Sequence, residues 1–155
     1  MQEKTCCFIG HRRIQESQVL TDKLNKIIEK LITEKQVDTF LFGSKSRFND
    51  LCLETVTQIK EKYPHIKRIY VRAEFSDIRD DYKAYLLESY EDTYYPERII
   101  GAGRLVYVER NCEMIDHSHF CIVYYDKESV PATRKSGTEF ALRYAEKHHK
   151  QIILL

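Results

Sequence analysis

Short apolar runs alternate with longer amphipathic stretches along this chain of 155 residues. The runs are rich in β-branched and aromatic residues, as is typical of buried parallel strands. They read TCCFIG, TFLFG, IKRIYV, RLVYV, FCIVYY and QIILL. Because the right-handed crossover rule applies to such an alternation, the pattern predicts an α/β fold: a single Rossmann-like, doubly wound, mainly parallel sheet with helices on both faces.

The stretches between the runs carry apolar residues at helical spacing, so each predicted helix has one stripe that can cover a sheet. A short helix is predicted over residues 111–118 and a final one over residues 138–149. The predicted buried positions are Leu20, Leu24, Ile27, Ile28 and Leu31 in the first helix, Phe48, Leu51, Cys52, Val56 and Ile59 in the second, and Phe140, Ala141, Tyr144 and Ala145 in the last.

Residues 72–103 interrupt this alternation and are interpreted as a Tyr-rich insertion in a single domain that spans residues 1–155. Its tyrosines are interleaved with carboxylates, and a tyrosine ring with a polar tip suits stacking on a base or sugar, or a homodimer contact. The alternative is that the rings pack on the domain itself. The tyrosines are Tyr82, Tyr85, Tyr90, Tyr94 and Tyr95.

Charge and composition narrow the possible partners. The 25 basic and 24 acidic residues leave a formal charge of +1, so we expect no general nucleic-acid binding and no attraction to an anionic membrane. No apolar run approaches the roughly 20 residues of a membrane span, and the first residues lack the pattern of a signal peptide, so a cytoplasmic location is expected. Five cysteines without CxxC spacing indicate reduced core residues, and we expect neither a metal site nor a cofactor.

Three predicted turns combine glycine with basic or hydroxyl residues at the carboxyl ends of strands, where open parallel sheets bind ligands. These are GHRR, GSKS and KSGT. None is a strong motif alone, and helix capping by Ser136 with Glu139, or by Ser46 with Asn49, is an alternative explanation. Their convergence predicts a site for a small anion, with Gly10, His11, Arg12, Gly43, Ser44, Lys45, Ser136, Gly137, Thr138 and Glu139 as candidate ligand-binding residues.

A fourth feature is Arg110-x-x-x-Met114, which precedes the run FCIVYYD. Together with the opening CCFIGHR and the ending KSGTEFALRYA, it resembles the SLOG superfamily, the Rossmann-like group that includes the lonely-guy phosphoribohydrolases. The resemblance covers nearly the whole chain and looks still closer to the bacterial branch with a DUF1273-type domain.

The resemblance implies a nucleotide-like ligand whose phosphate lies near the glycine turns, with Arg110 in contact with the ligand and assisting cleavage. The catalytic glutamate of the lonely-guy enzymes falls here on Ala141, as does the nucleophile of the similar nucleoside deoxyribosyltransferases. Arg110 also has a second interpretation, as a surface residue that pairs with Glu113 or Asp116.

The leading hypothesis is therefore a sensor or regulatory domain that binds a nucleotide-derived ligand without transforming it. The alternative is an N-glycosidic hydrolase or transferase, which needs a carboxylate beside the sugar. Its candidate acids are Glu139, Glu109, Asp77, Asp80 and Asp81, and Glu139 and Arg110 are its candidate catalytic residues. A third hypothesis is a protein-interaction module that uses the tyrosines.

Overall fold

The computed structural model describes residues 4–126 and 137–155, which form six strands and five α-helices. The strands are β1 Lys4–Gly10, β2 Val37–Phe42, β3 Lys67–Val71, β4 Asp92–Tyr94, β5 Phe120–Tyr124 and β6 Gln151–Leu154. The helices are α1 Gln18–Lys35, α2 Arg47–Lys62, α3 Asp80–Leu87, α4 Val106–Asp116 and α5 Gly137–Lys147, and two single 3₁₀ turns cover Glu97–Ile99 and Gly103–Leu105.

All six strands lie in one sheet with the order β4-β3-β2-β1-β5-β6, and every neighbouring pair is parallel. The chain builds outward from β1 to β4 and then crosses to the other side of β1 for β5. The strand order therefore reverses between β1 and β5, which is the switch point where sheets of this kind open a crevice. The Rossmann-like α/β fold expected from the sequence is confirmed.

Each face of the sheet carries its own apolar core. The core on one face includes residues of α1 and α2, and the core on the other includes residues of α4 and α5. The neighbours Cys6 and Cys7 point to opposite faces, as strand alternation requires. All five cysteines are buried free thiols, as the sequence predicts, and burial raises the pKa of the Cys52 thiol well above its ordinary value.

Three local predictions are wrong. The run RLVYV is not a strand, because Gly103–Leu105 forms a 3₁₀ turn and Val106 begins α4, which was predicted only from residue 111. A strand of three residues, β4, lies inside the predicted insertion. In α5, Phe140 is 51% exposed, and Leu142 takes the buried position instead.

No helix in the described ranges is long and apolar enough to span a membrane.

Candidate functional site

A cavity of about 630 Å³ opens at the carboxyl ends of β1, β2 and β3. Its size is within the range of small-molecule sites. The predicted residues that line it are Gly10, His11, Arg12, Gly43, Ser44, Lys45, Arg110, Gly137 and Thr138. The fold therefore brings Gly10, Gly43, Gly137 and Arg110 to one place. Ser136 lies outside the described residues, and Glu139 does not line the cavity.

The turn after β1 supplies an imidazole and two guanidinium groups. His11 Nε2 accepts a hydrogen bond of 2.9 Å from the backbone N–H of Asp126. Burial lowers the pKa of His11, so the ring is neutral at neutral pH and carries its proton on Nδ1. Arg12 and Arg13 are exposed at the cavity, and their side chains form no ion pair or hydrogen bond with a described residue. Their charges are available to a ligand.

The turn after β2 is held by hydrogen bonds at the start of α2. Ser46 Oγ accepts from the backbone N–H of Asn49 at 3.1 Å and lies 2.8 Å from Ser44 Oγ. Asn49 Oδ1 in turn accepts from the N–H of Gly43 at 3.3 Å. The predicted Ser46–Asn49 cap is thus present, and it fixes a turn whose residues also line the cavity.

Arg110 is the most deeply buried cation of the cavity, with 5% of its surface exposed. Its Nε donates to Asn111 Oδ1 at 3.1 Å, and its Nη1 donates to the carbonyl of Gly43. Both acceptors are neutral, and no described carboxylate forms an ion pair with it. Although burial lowers the pKa of Arg110, a guanidinium remains charged in proteins.

The surface-pairing interpretation of Arg110 is wrong, because both of its supposed partners are occupied elsewhere. Glu113 Oε2 lies 3.2 Å from His117 Nε2, and Asp116 Oδ2 lies 2.5 Å from a guanidinium nitrogen of Arg98. Arg110 instead points to the turn after β2, where its Nη1 donates to the carbonyl of Gly43.

The end of β3 contributes residues that the sequence interpretation missed: Tyr70, Arg72, Ala73, Glu74 and Phe75. Arg72 donates to Thr93 Oγ1 on β4 and to the carbonyl of Ser76, both at 3.1 Å, so it ties the following loop to the sheet. The signal was present in the sequence, because this strand ends at the same edge as β1 and β2. It was lost when residues 72–103 were grouped as an insertion.

Glu74 is the one carboxylate among the described residues that line the cavity. Its Oε1 accepts a hydrogen bond of 3.0 Å from the Tyr107 hydroxyl, and its Oε2 lies 3.4 Å from Lys45 Nζ. The hydrogen bond from Tyr107, and then the charge of Lys45, lower the pKa of Glu74 and keep it ionised. The acids proposed from the sequence, which are Glu139, Glu109, Asp77, Asp80 and Asp81, do not line the cavity.

The tyrosines of the predicted insertion have different environments. Tyr82 lines the cavity, and Tyr85 stacks on it from the exposed side with ring centroids 6.3 Å apart. Tyr90 is buried, with its ring centroid 5.2 Å from that of Tyr70. Burial raises the pKa of Tyr94 to about 12. The expectation that the segment walls the cavity therefore holds for Tyr82, while Tyr90 packs in the core.

No cluster of three or more His, Cys, Asp or Glu residues that could hold a metal ion occurs within residues 4–126 and 137–155.

Comparison with solved structures supports the fold. The Moco carrier protein of Chlamydomonas rheinhardtii aligns over 100% of this chain and 77% of its own chain, with a TM-score of 0.55. Its sequence identity is 12%, so the likeness concerns the fold alone.

Comparison of sequences identifies relatives. The chain is 27% identical over 150 residues to the uncharacterised SPbeta prophage-derived protein YoqJ of Bacillus subtilis (strain 168), a match that covers 83% of this chain and 81% of YoqJ. The family model YpsA, described as the YspA SLOG family, matches residues 9–155. That span includes the end of β1, all of β2 to β6 and every described residue of the cavity except Phe8. The chain belongs to the YpsA SLOG family.

Proposed function

We propose that the cavity binds a small anionic ligand derived from a nucleotide and that the protein acts as a sensor or regulatory domain. Arg110 is the observation that carries this proposal. This guanidinium is 5% exposed, its hydrogen bonds to described residues go to neutral acceptors, and its charge is offset only in part by the Tyr107 ring, 5.7 Å away, and by the charge of Glu74. Such a charge is costly unless an anion pairs with it, and Arg110 lines a cavity that has room for one.

The remaining groups of the cavity suit the same ligand class. Arg12 and Arg13 add exposed positive charge, and the amino-terminal residues of α2 and α5 bring helix ends that favour anions. The rings of Tyr82 and Phe75 line the cavity and offer faces on which a base can stack, whereas the Arg110 guanidinium lies 5.7 Å from the centroid of the Tyr107 ring. The phosphate of a nucleotide is suited to the positive charges and helix ends, and its base is suited to the aromatic faces.

We further propose that the ligand is bound without cleavage of its glycosidic bond. Cleavage of that bond relies on a carboxylate beside the sugar carbon. Ala141 replaces the carboxylate of the resembled enzymes, and Glu74 is engaged by Tyr107 and Lys45. We also propose that residues 1–155 form a single domain of the DUF1273 type. The protein is proposed to be cytoplasmic and to form a homodimer.

Binding is tested by thermal unfolding and calorimetry with nucleoside monophosphates and cyclic nucleotides. A ligand that binds only the folded state raises the melting temperature by mass action. We expect Arg110→Ala to weaken binding by about 1.5–3 kcal/mol, the contribution of a charge-assisted hydrogen bond. Arg104→Ala is the matched control, because Arg104 is an exposed arginine that does not line the cavity. Equal effects of the two substitutions would contradict the proposal.

Absence of cleavage is tested by chromatography after long incubation with adenosine monophosphate. We expect no steady release of adenine, because Ala141 stands where the resembled enzymes hold their carboxylate and Glu74, the one carboxylate among the described lining residues, is held by Tyr107 and Lys45. Steady release that is lost in Glu139→Gln or in Glu74→Gln would show an enzyme and would identify the acid that it uses.

A further inference from the structure

Glu74 is an unexpected group in a cavity that is otherwise basic. Four arginines and one lysine are among the described residues that line the same space, and Glu74 is ionised because Tyr107 and Lys45 hold it. An ionised carboxylate repels the phosphate of a nucleotide, so its presence in an anion site needs a separate explanation. A carboxylate accepts hydrogen bonds and donates none, which makes it suited to a part of the ligand that donates.

The surroundings of Glu74 indicate which part of the ligand that is. Phe75 follows it in the chain and is 61% exposed, and Tyr107 donates to it and is 45% exposed. Tyr82 lines the same cavity. A carboxylate at the edge of aromatic faces has the arrangement by which proteins stack an unpaired base and read its Watson–Crick edge. Glu74 also keeps about 36% of its side chain exposed, and each of its oxygens has a second lone pair to offer.

Glu74 lies far enough from Arg12 and Arg13 for the phosphate and the base of one ligand to occupy different parts of the cavity. Glu74 follows β3, whereas Arg12 and Arg13 follow β1, two strands away. With neighbouring strands about 4.8 Å apart, the two ends of the cavity are separated by roughly 10 Å. One ligand can therefore extend from a phosphate between Arg12, Arg13 and Arg110, whose guanidinium bonds the turn after β2, to a base near β3.

We infer that the cavity selects a base with two adjacent N–H donors, the edge shared by guanine and the pterins, and that Glu74 accepts both. This inference rests on the proposed nucleotide binding. The N1–H and 2-amino groups of guanine match the two carboxylate oxygens. Adenine offers one amino donor beside an unprotonated ring nitrogen, whose lone pair faces the carboxylate and is repelled. A site built around a polar partner discriminates strongly against a ligand that leaves it unpaired.

The test compares the affinities of GMP, IMP and AMP by calorimetry. IMP has the N1–H donor without the 2-amino group, so it serves as the intermediate case. We expect GMP to bind roughly tenfold or more tightly than AMP, the discrimination that a bidentate base contact provides, with IMP between them. Equal affinities, or a preference for AMP, would overturn the inference.

Substitution of Glu74 separates base recognition from general effects on the cavity. We expect Glu74→Gln to weaken GMP binding while AMP binding is retained or strengthened, because the repulsion of adenine is removed. Glu109→Gln is the matched control, since Glu109 pairs with Arg98 and does not line the cavity. Thermal unfolding without ligand checks that both variants fold. An equal loss for GMP and AMP in Glu74→Gln would overturn the inference.

Two further ligands test which part of the ligand donates the hydrogen bonds that Glu74 accepts. Deoxy-GMP should bind like GMP, and a large loss would assign Glu74 to the ribose and overturn the inference. Neopterin carries the same edge without a phosphate, and binding that depends on Glu74 would support the inference with a pterin as the source. If no nucleotide binds the unsubstituted protein, the proposed function itself fails. If AMP binds as well as GMP, only the base preference fails.

Discussion

Gly10 and Gly43 are required at the cavity by the side chains that approach them. Neither has a positive φ, so backbone conformation does not demand glycine at either position. A Cβ on Gly10 would lie 2.2 Å from the ring of Phe48, and one on Gly43 would lie 2.6 Å from both Arg110 Cδ and Met114 Sδ. The glycines thus admit Phe48 and Arg110, whereas the sequence analysis named both as candidate ligand-binding residues.

This packing predicts that two glycine-to-alanine substitutions differ in how much they lower the free energy of unfolding. Gly10→Ala should lower the free energy of unfolding by about 1–3 kcal/mol, because the aromatic ring of Phe48 on α2 has to shift in a filled core. Gly137→Ala should change it by no more than about 0.5 kcal/mol, the usual range away from packed sites, since no described atom lies within 4 Å of the added carbon. Urea denaturation of both variants measures the difference. Equal stability of the two would refute the packing argument.

At the scale of elements, the sequence predicted β1, β2, β3, β5 and β6 because each contains several consecutive apolar or β-branched residues. It failed for β4, which is three residues long and begins with an exposed aspartate. It also failed for the start of α4, because Val106, Tyr107 and Val108 favour a strand locally. Tertiary packing overrides that preference by placing Met114 and Ile115 of the same helix in the core.

The residues of the cavity could likewise be predicted only where the local sequence determines their position. Glycine and basic residues after β1 and β2 were recognisable because each turn directly follows an apolar run. Glu74 was not, since its role depends on Tyr107, which lies 33 positions away in the chain and comes close only through the fold. The buried state of Arg110 depends likewise on Gly43, 67 positions away.

Two serine residues that cap helices allow an effect on stability to be distinguished from an effect on ligand binding. Ser46 Oγ caps α2 beside the cavity, and Ser17 Oγ caps α1 in the same manner, accepting from Leu20 N–H at 3.1 Å. Each change to alanine should cost about 1 kcal/mol of stability, a typical value for an N-cap. Only Ser46→Ala should also weaken phosphate or nucleotide binding, because only Ser46 lines the cavity. Calorimetry with equal binding losses for both variants would contradict this expectation.

At the scale of the whole molecule, nearly balanced charge conceals a local concentration of positive charge. The formal net charge is +1, yet the cavity is lined by four arginines and one lysine against a single described carboxylate. Long-range attraction of polyanions is therefore weak, while a small anion that enters the cavity meets several cations at short range. With this charge distribution, the protein selects anions that are small enough to enter the cavity, which favours a small ligand over a nucleic acid.

The depth of these cations predicts how salt affects binding. Arg12 and Arg13 are exposed, so a rise from about 0.05 to 0.5 M salt should screen them, whereas it should affect buried Arg110 little. Wild-type affinity for a nucleoside monophosphate should then fall about fivefold, since two exposed charge contacts contribute roughly 0.5 kcal/mol each.

Two variants check this assignment by calorimetry across the salt series. Simultaneous replacement of Arg12 and Arg13 by alanine should remove most of the salt dependence. Arg110→Ala should lower the affinity at every salt concentration and keep the slope, because the screened charges are still present. The reverse pattern, with the slope lost in Arg110→Ala and retained in the double variant, would contradict this assignment, because it would mean that the ligand's anionic group contacts the Arg110 guanidinium and does not reach the turn after β1.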